Sequence, residues 1–141
     1  MTNCIEIKGL CKSYGDFALN NIDLTLPGGS ILGLIGENGA GKTTTIKCVL
    51  NLIRRDTGEI TLLGYDNVRE ERLAKQDVGV VLDECFFHDT LRPRDVGSIL
   101  APAYQNWDQG LFRDYLSKFG LPEKKFIKEF SRGMKMKLSL S

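Results

Sequence analysis

Apolar and polar residues alternate along two stretches near the start of the chain. Residues 4–10 follow this pattern, and residues 17–26 follow it again up to Pro27. Alternation turns one side of a strand toward a core and the other toward water. The pattern therefore predicts two half-buried strands joined by a turn at Gly15-Asp16.

Two short runs are continuously apolar, which is typical of strands covered on both faces in a parallel sheet. They are residues 31–35 and residues 78–82. Between them, residues 43–52 have helical spacing, residues 59–63 have the composition of a further strand, and residues 69–76 indicate a short polar helix. We therefore predict a first half rich in strands.

The second half of the chain has a helical pattern. Residues 94–120 predict two amphipathic helices, separated near residues 102–107, and a third helix begins after Ser131, a suitable N-cap. Strands followed by helices indicate an α/β core with an α-helical subdomain. We expect the core to span residues 1–83 and the helical subdomain to span residues 84–141.

Composition and charge exclude several classes of protein. The 141 residues are 42% apolar and 26% charged, which is ordinary for a globular domain. The formal net charge of +1 provides no overall field for nucleic acid, so we expect no nucleic-acid partner. Four cysteines without a C-x-x-C pair favour free thiols in a reducing cytosol. No stretch approaches the roughly 20 apolar residues of a membrane span, so we expect any membrane role to depend on a partner.

The strongest chemical signal is a phosphate-binding loop between the apolar run of residues 31–35 and the predicted helix. Its sequence matches G-x-x-x-x-G-K-[ST] in full. Glycines let backbone N–H groups curl around phosphate oxygens, and the following helix points its positive end at the same anion. Lys42 is predicted to reach the β- and γ-phosphates, and the Thr43 hydroxyl to take a Mg²⁺ position. The predicted ATP-binding residues of the loop are Gly36, Glu37, Asn38, Gly39, Ala40, Gly41, Lys42, Thr43 and Thr44.

With this loop and several other stretches, the chain resembles the ATP-binding domain of ABC transporters. Residues 12–15, KSYG, are similar to the aromatic loop of the family, and residues 56–60 are similar to the start of the strand after the phosphate loop. The resemblance implies a P-loop NTPase core with an N-terminal antiparallel β-subdomain and an α-helical subdomain. It also implies that Tyr14 stacks on the adenine of ATP.

Two further stretches carry the resemblance. Residues 78–84 occupy the place of the Q-loop strand, where Asp83 replaces the usual glutamine and is implied to contact Mg²⁺. Residues 130–138 resemble the LSGGQ signature motif, with Ser131 and Gly133 matching it. In the family this motif binds the γ-phosphate held by a partner subunit. The resemblance therefore implies a homodimer, or a pair with a related ATPase subunit, that sandwiches ATP head to tail. Through the altered Q-loop and residues 130–141, the chain is most similar within the family to the bacterial drug- and antibiotic-export class.

The resemblance also predicts what this sequence lacks. In the family, the Walker B strand and its catalytic carboxylates follow the signature, whereas this sequence ends at Ser141. We therefore expect a fold truncated before Walker B, which binds ATP and Mg²⁺ but does not hydrolyse ATP at the family's rate. The catalytic residues stay unassigned.

The predicted function is that of a partial ATP-binding subunit of an ABC transporter. It would lie in the cytoplasm, on the inner face of the membrane, and couple ATP binding and hydrolysis to transport by a separate permease. The pair Phe86-Phe87 is the predicted contact with that permease. The alternatives are a non-hydrolysing nucleotide-binding module and a soluble P-loop kinase or GTPase, although no guanine-reading Asn/Thr-Lys-x-Asp occurs.

Overall fold

The computed structural model describes residues 3–82 and 84–141. These residues form two compact units, one extending to Val78 and the other running from Gly79 to Ser141. Each unit has its own apolar core.

The first unit is built on a four-stranded antiparallel sheet with the order β2-β1-β3-β4. Tyr14 pairs with Phe17 across the turn between β1 and β2, which confirms the predicted hairpin. The elements are β1 (Asn3–Tyr14), β2 (Phe17–Pro27), α1 (Lys42–Val49), β3 (Thr57–Leu62), β4 (Tyr65–Asp66) and α2 (Glu71–Ala74).

The core of this unit lies between the sheet and helix α1. Side chains from the inward positions of β1 and β3 pack with the buried side of α1, as the alternating pattern requires. The buried members include Ile7, Leu10, Leu19, Cys48, Val49, Ile60, Leu62 and Ala74. The helix therefore has a fixed position relative to the hairpin.

The prediction of two parallel strands, at residues 31–35 and 78–82, is wrong for the residues that the structure describes. Neither residues 31–35 nor residues 78–82 form a strand. Ile31 and Ile35 are almost fully exposed, at 101% and 97%, and Val81 is 47% exposed. A strand needs a neighbour to accept and donate its backbone hydrogen bonds, and no described strand runs beside either segment. A continuous apolar run indicates burial, but it does not identify the partner that would provide it.

The second unit is helical. Its elements are α3 (Pro93–Leu100), α4 (Gln109–Lys118), a 3₁₀ helix (Ile127–Glu129) and α5 (Arg132–Leu140). The two predicted amphipathic helices and the third helix after Ser131 are confirmed. Their apolar sides meet in a core of Val96, Phe112, Leu116, Leu121, Ile127, Phe130 and Leu138. Among the described residues, no helix has the length and apolar content needed to cross a bilayer.

Candidate functional site

The glycine-rich loop of residues 36–44 leads directly into α1. The Lys42 side chain folds back onto the loop, where its ammonium donates hydrogen bonds to the carbonyl oxygens of Gly36 at 2.6 Å and Glu37 at 2.8 Å. The Ala40 N–H donates to the Glu37 carbonyl at 3.2 Å and closes a turn. An ammonium has three protons, so Lys42 keeps one donor for a further ligand.

No side chain among the described residues caps the N-terminus of α1, where Gly41 is the N-cap. The helical ladder begins with the Thr45 N–H, which donates to the Gly41 carbonyl at 2.8 Å. The Thr45 hydroxyl donates to the same oxygen at 2.9 Å. The N–H groups before Thr45 have no intrahelical partner and carry the positive end of the helix dipole. This end of α1 therefore has the chemistry of an anion site.

Gly41 is constrained by packing as well as by the loop. Its φ of +95° lies in the left-handed region. A Cβ at this position would overlap Leu19 Cδ2 and come within 2.9 Å of Phe17 Cζ on β2. The hairpin thus presses against the loop where α1 begins, and only glycine fits between them.

A cavity of about 420 Å³ opens beside the loop. Within the described part of the chain, its lining contains a cation, hydroxyls and glycines but no acidic side chain. The lining residues are Phe17, Asn38, Gly39, Gly41, Lys42, Thr43 and Thr44. Gly36, Glu37 and Ala40, three of the predicted loop residues, are exposed and do not line it. The cavity therefore suits an anionic ligand.

The predicted metal position is only half described. Thr43 is exposed at the second residue of α1, so its hydroxyl is accessible at the anion-binding end of the helix. A hydroxyl oxygen is a hard donor of the kind Mg²⁺ prefers, and such an ion usually keeps phosphate oxygens and water as its other ligands. Thr43 therefore fits a Mg²⁺ carried by a triphosphate. Asp83, the other predicted ligand, lies outside the described residues.

Tyr14 lies at the end of β1, next to the hairpin turn. Its side chain is 47% exposed. It does not line the cavity itself, but its strand partner Phe17 does. Tyr14 is therefore accessible, and its strand partner Phe17 lies at the cavity beside the loop. The contact of Tyr14 with adenine stays a prediction.

Lys12 and Asp56 form an ion pair beside Tyr14. Lys12 Nζ lies 2.8 Å from Asp56 Oδ1, and the Ser13 N–H donates to Asp56 Oδ2 at 2.7 Å. The hydrogen bond from Lys12, followed by that from Ser13, lowers the pKa of the Asp56 carboxyl. The hydrogen bond to Asp56 raises the pKa of Lys12. Both groups are therefore charged at neutral pH.

The signature residues lie in the second unit. The Ser131 hydroxyl oxygen accepts a hydrogen bond from the Met134 N–H at 3.2 Å, which confirms Ser131 as the N-cap of α5. Ser131 and Gly133 are both exposed. The nearest described atom to a Cβ on Gly133 would be Ser131 Oγ at 3.9 Å, an ordinary contact. Packing within the described chain therefore does not require glycine at position 133.

Sequence reasoning missed two supports of the site. Phe17 was predicted only as a strand residue, yet it lines the cavity. Asn67, which is 1% exposed, donates to the carbonyl oxygens of Cys48 and Val49 at 2.8 and 2.9 Å and so ties the C-terminal end of α1 to the sheet. Arg55 donates to the Asn67 side-chain oxygen at 2.7 Å. No local pattern marks these contacts, because each joins residues distant in the sequence.

Comparison with known proteins gives consistent results. Residues 19–141 match the protein family described as ABC transporter. The chain is 31% identical over 137 residues to the ABC transporter ATP-binding protein YtrB of Bacillus subtilis (strain 168), covering 96% of this chain and 47% of YtrB. It is 29% identical over 144 residues to the bacitracin transport ATP-binding protein BcrA of Bacillus licheniformis, covering 100% of this chain and 47% of BcrA.

The fold also matches solved structures. The structure of an ATP-binding subunit of an ABC transporter superposes with a TM-score of 0.86 at 26% identity, covering 97% of this chain and 60% of that one. The chain spans about half the length of the curated relatives YtrB and BcrA.

Proposed function

The chain belongs to the ABC transporter family, and from this premise we propose that it binds Mg-ATP at residues 36–44 as part of a transporter's ATP-binding subunit. The observation that carries the proposal is the uncapped N-terminus of α1 beneath a glycine loop that holds Lys42. Family membership gives no support to the alternative of a soluble P-loop kinase or GTPase.

The phosphates would bind by three kinds of donor. The free N–H groups of the first turn of α1 would meet phosphate oxygens, since a helix N-terminus favours negative charge. Lys42 donates two of its three ammonium hydrogens to the loop carbonyls, and the third would bond the terminal phosphates. Thr43 would hold the accompanying Mg²⁺, with Asp83 as the proposed further contact.

Isothermal titration calorimetry with Mg-ATP tests this assignment. Lys42→Ala is expected to abolish measurable binding, because the triphosphate loses the one lysine among the described residues that line the cavity. Lys47→Ala is the matched control, since Lys47 is an exposed basic residue in the last turn of the same helix. Equal affinity of the unaltered chain and Lys42→Ala would overturn the proposal.

The adenine is proposed to stack on Tyr14. Tyr14 is 47% exposed, and its strand partner Phe17 lines the cavity. Stacking of a base on an aromatic ring contributes about 1–3 kcal/mol in nucleic-acid complexes. Tyr14→Ala should therefore weaken ATP binding by a comparable amount, and Tyr14→Phe should retain most of it.

We further propose that the 141-residue chain binds ATP without the rapid turnover typical of an ATPase. Hydrolysis needs a group that orients the attacking water, and no acidic side chain of the described residues lines the cavity. A phosphate-release assay on the chain alone is expected to give no turnover above that of Lys42→Ala. Turnover sensitive to Lys42→Ala would instead support a complete catalytic site in this chain.

Ser131 and Gly133 are proposed to bind the γ-phosphate held by a second ATPase subunit. Both are exposed at the N-terminus of α5, which has no acidic residue in its first turn. In Gly133→Asp, the new carboxylate should interact favourably with the positive end of the helix dipole, so the variant should fold. The same carboxylate should repel phosphate, so the variant should lose ATP-dependent dimers. Gly133→Ser is the matched control. Sedimentation velocity with and without Mg-ATP measures the outcome, and dimers that persist in Gly133→Asp would contradict the role.

A membrane-embedded permease is the other proposed partner, which would hold the subunit at the inner face of the membrane. Phe86 is 74% exposed, whereas Phe87 packs against the core of the second unit. Of the predicted pair, only Phe86 therefore remains a candidate contact. In the assembled transporter, cross-linking from Cys85 to a cytoplasmic permease loop should occur and should weaken in Phe86→Ser. The name of BcrA supports an antibiotic as the class of cargo.

A further inference from the structure

A charged pair and an aromatic ring form one connected group at the end of β1. Lys12 Nζ lies 2.8 Å from Asp56 Oδ1 and 4.9 Å from the centre of the Tyr14 ring. From this geometry we propose that Lys12 and Asp56 are positioning residues, which fix the Tyr14 ring as a platform for the base of the nucleotide. The inference rests on the proposed function, in which the loop of residues 36–44 binds ATP.

The strand geometry brings the cation and the ring together. Side chains two residues apart on a strand lie on the same face, so Lys12 and Tyr14 project to one side of β1. Ser13 lies between them, and its N–H donates to Asp56 Oδ2 at 2.7 Å. The Asp56 carboxylate therefore bonds both the lysine side chain and the backbone that leads into Tyr14.

Asp56 is itself held in place by the sheet. Its N–H donates to the Cys11 carbonyl at 2.9 Å, and Cys11 pairs with Thr57 in the ladder between β1 and β3. Asp56 is thus tied to the strand that carries Tyr14 by one bond that its own N–H donates and by two bonds that its carboxylate accepts, from the Lys12 ammonium and the Ser13 N–H. The ammonium can move away from the ring only by giving up its bond to this anchored carboxylate.

Burial and exposure divide the roles of the two side chains. The Lys12 side chain is 14% exposed, while Tyr14 is 47% exposed. The mostly covered Lys12 side chain therefore places its ammonium on one side of the ring, and the accessible part of the ring is left for a ligand. A cation over an aromatic face is attracted to it, and more strongly where water is partly excluded. A ring held in this way loses less conformational freedom when a base stacks on it.

A purely structural ion pair would behave differently from a positioning pair. If Lys12 and Asp56 only stabilised the hairpin, their loss would affect every ligand of the loop alike. If they position Tyr14, their loss would weaken the contact with the base and leave the contact with the phosphates unchanged. The comparison of ATP with a ligand that has phosphates but no base separates these cases.

Calorimetric titration of the whole chain with Mg-ATP and with Mg-tripolyphosphate provides that comparison. Lys12→Met should weaken ATP binding by about threefold to tenfold, the scale of a partly shielded cation–ring and stacking contact, and leave tripolyphosphate binding unchanged. Lys12→Arg keeps the cation and should restore ATP binding. Lys75→Met is the matched control, because Lys75, the C-cap of α2, forms an ion pair with Glu71 at 2.5 Å.

A second variant and a second background keep the test decisive if Lys12→Met fails to fold. Asp56→Asn keeps the shape of the side chain and should cause the same selective loss of ATP binding. In a Tyr14→Ala background, neither substitution should weaken ATP binding further, since the ring on which they act is gone.

The outcomes separate the two proposals. Equal weakening of ATP and tripolyphosphate, full ATP affinity in both variants, or a further loss in the Tyr14→Ala background would overturn the positioning role alone. Failure of the unaltered chain to bind either ligand would overturn the proposed function.

Discussion

At the scale of single residues, the site depends on positions where the loop and the hairpin touch. Gly41 has both a left-handed backbone and no room for a side chain, whereas Gly39 has a similar φ of +87° with no atom within 4 Å of its Cβ position. At Gly39 a side chain would meet only backbone strain, whereas at Gly41 it would meet backbone strain and steric overlap. Both residues belong to the same motif, so the sequence pattern alone does not distinguish them.

Gly41→Ala is expected to destabilise the chain more than Gly39→Ala. Both substitutions impose the left-handed strain, but only the first also forces Leu19 and Phe17 to shift, which typically costs about 1–3 kcal/mol more. Urea unfolding followed by circular dichroism measures the difference. Equal losses of stability in the two variants would contradict the packing of Gly41 against β2.

The ion pair of Lys12 and Asp56 predicts a pH window for stability. The Asp56 carboxyl has a pKa below the ordinary 3.8. The stability that this carboxylate contributes is therefore complete above pH 3.8 and is lost as the pH falls through the lowered pKa. The Lys12 ammonium has a pKa above the ordinary 10.5. The stability that this cation contributes is therefore complete below pH 10.5 and is lost as the pH rises through the raised pKa.

The difference in melting temperature between the unaltered chain and Lys12→Met should therefore stay constant from about pH 5 through neutral pH, below the range in which the nearby Cys48 thiol titrates. It should shrink at both extremes. A difference that changes near pH 7 would show that another titrating group controls this contact.

At the scale of elements, the position of α1 depends on both of its ends. The N-terminal end meets the hairpin through Gly41, and the C-terminal end is bound by Asn67. Asn67 in turn accepts from Arg55, which also donates to the Gly58 carbonyl at 2.8 Å. The helix whose first N–H groups are proposed to bind phosphate is therefore held to the sheet by a buried polar contact as well as by apolar packing.

Asn67→Ala should reduce the free energy of unfolding by about 3 kcal/mol, because it leaves buried polar partners without their hydrogen bonds. Asn20→Ala is the matched control, since Asn20 is exposed on β2. Chemical denaturation measures both variants. A loss in Asn67→Ala no larger than that in the control would mean that apolar packing alone holds α1.

At the scale of the whole molecule, exposed apolar segments dominate the expected behaviour in solution. Ile31 and Ile35 of the first unit lie in a segment with no strand partner among the described residues. Unpaired backbone next to large apolar side chains is a template for association with another chain. The first unit therefore combines a well-packed sheet and helix with a surface that favours association.

We expect the isolated chain to self-associate through residues 31–35. Replacing both Ile31 and Ile35 with lysine should shift the chain toward the monomer in sedimentation velocity, because charged edges oppose pairing. The control is Leu140→Lys, which changes an exposed leucine of the second unit. Association that persists unchanged in the double variant would point to another surface.

The sequence by itself determined the features that arise from local signals. The G-x-x-x-x-G-K-T loop, the hairpin around Gly15-Asp16 and the start of α5 at Ser131 each depend on residues within a few positions of one another, so motif and periodicity suffice. Membership of the family could also be predicted from the sequence, since the family's motifs are short and occur in order along the chain.

Only the tertiary structure decided which distant groups meet. The pairing of Lys12 with Asp56 spans 44 residues, and the contact of Asn67 with Cys48 spans 19. The apolar run of residues 31–35 indicated burial, yet the described chain leaves it exposed because burial requires a neighbouring strand. Apolar patterning records the preference of a segment for a core, while hydrogen bonds and packing between distant segments determine whether that preference is met.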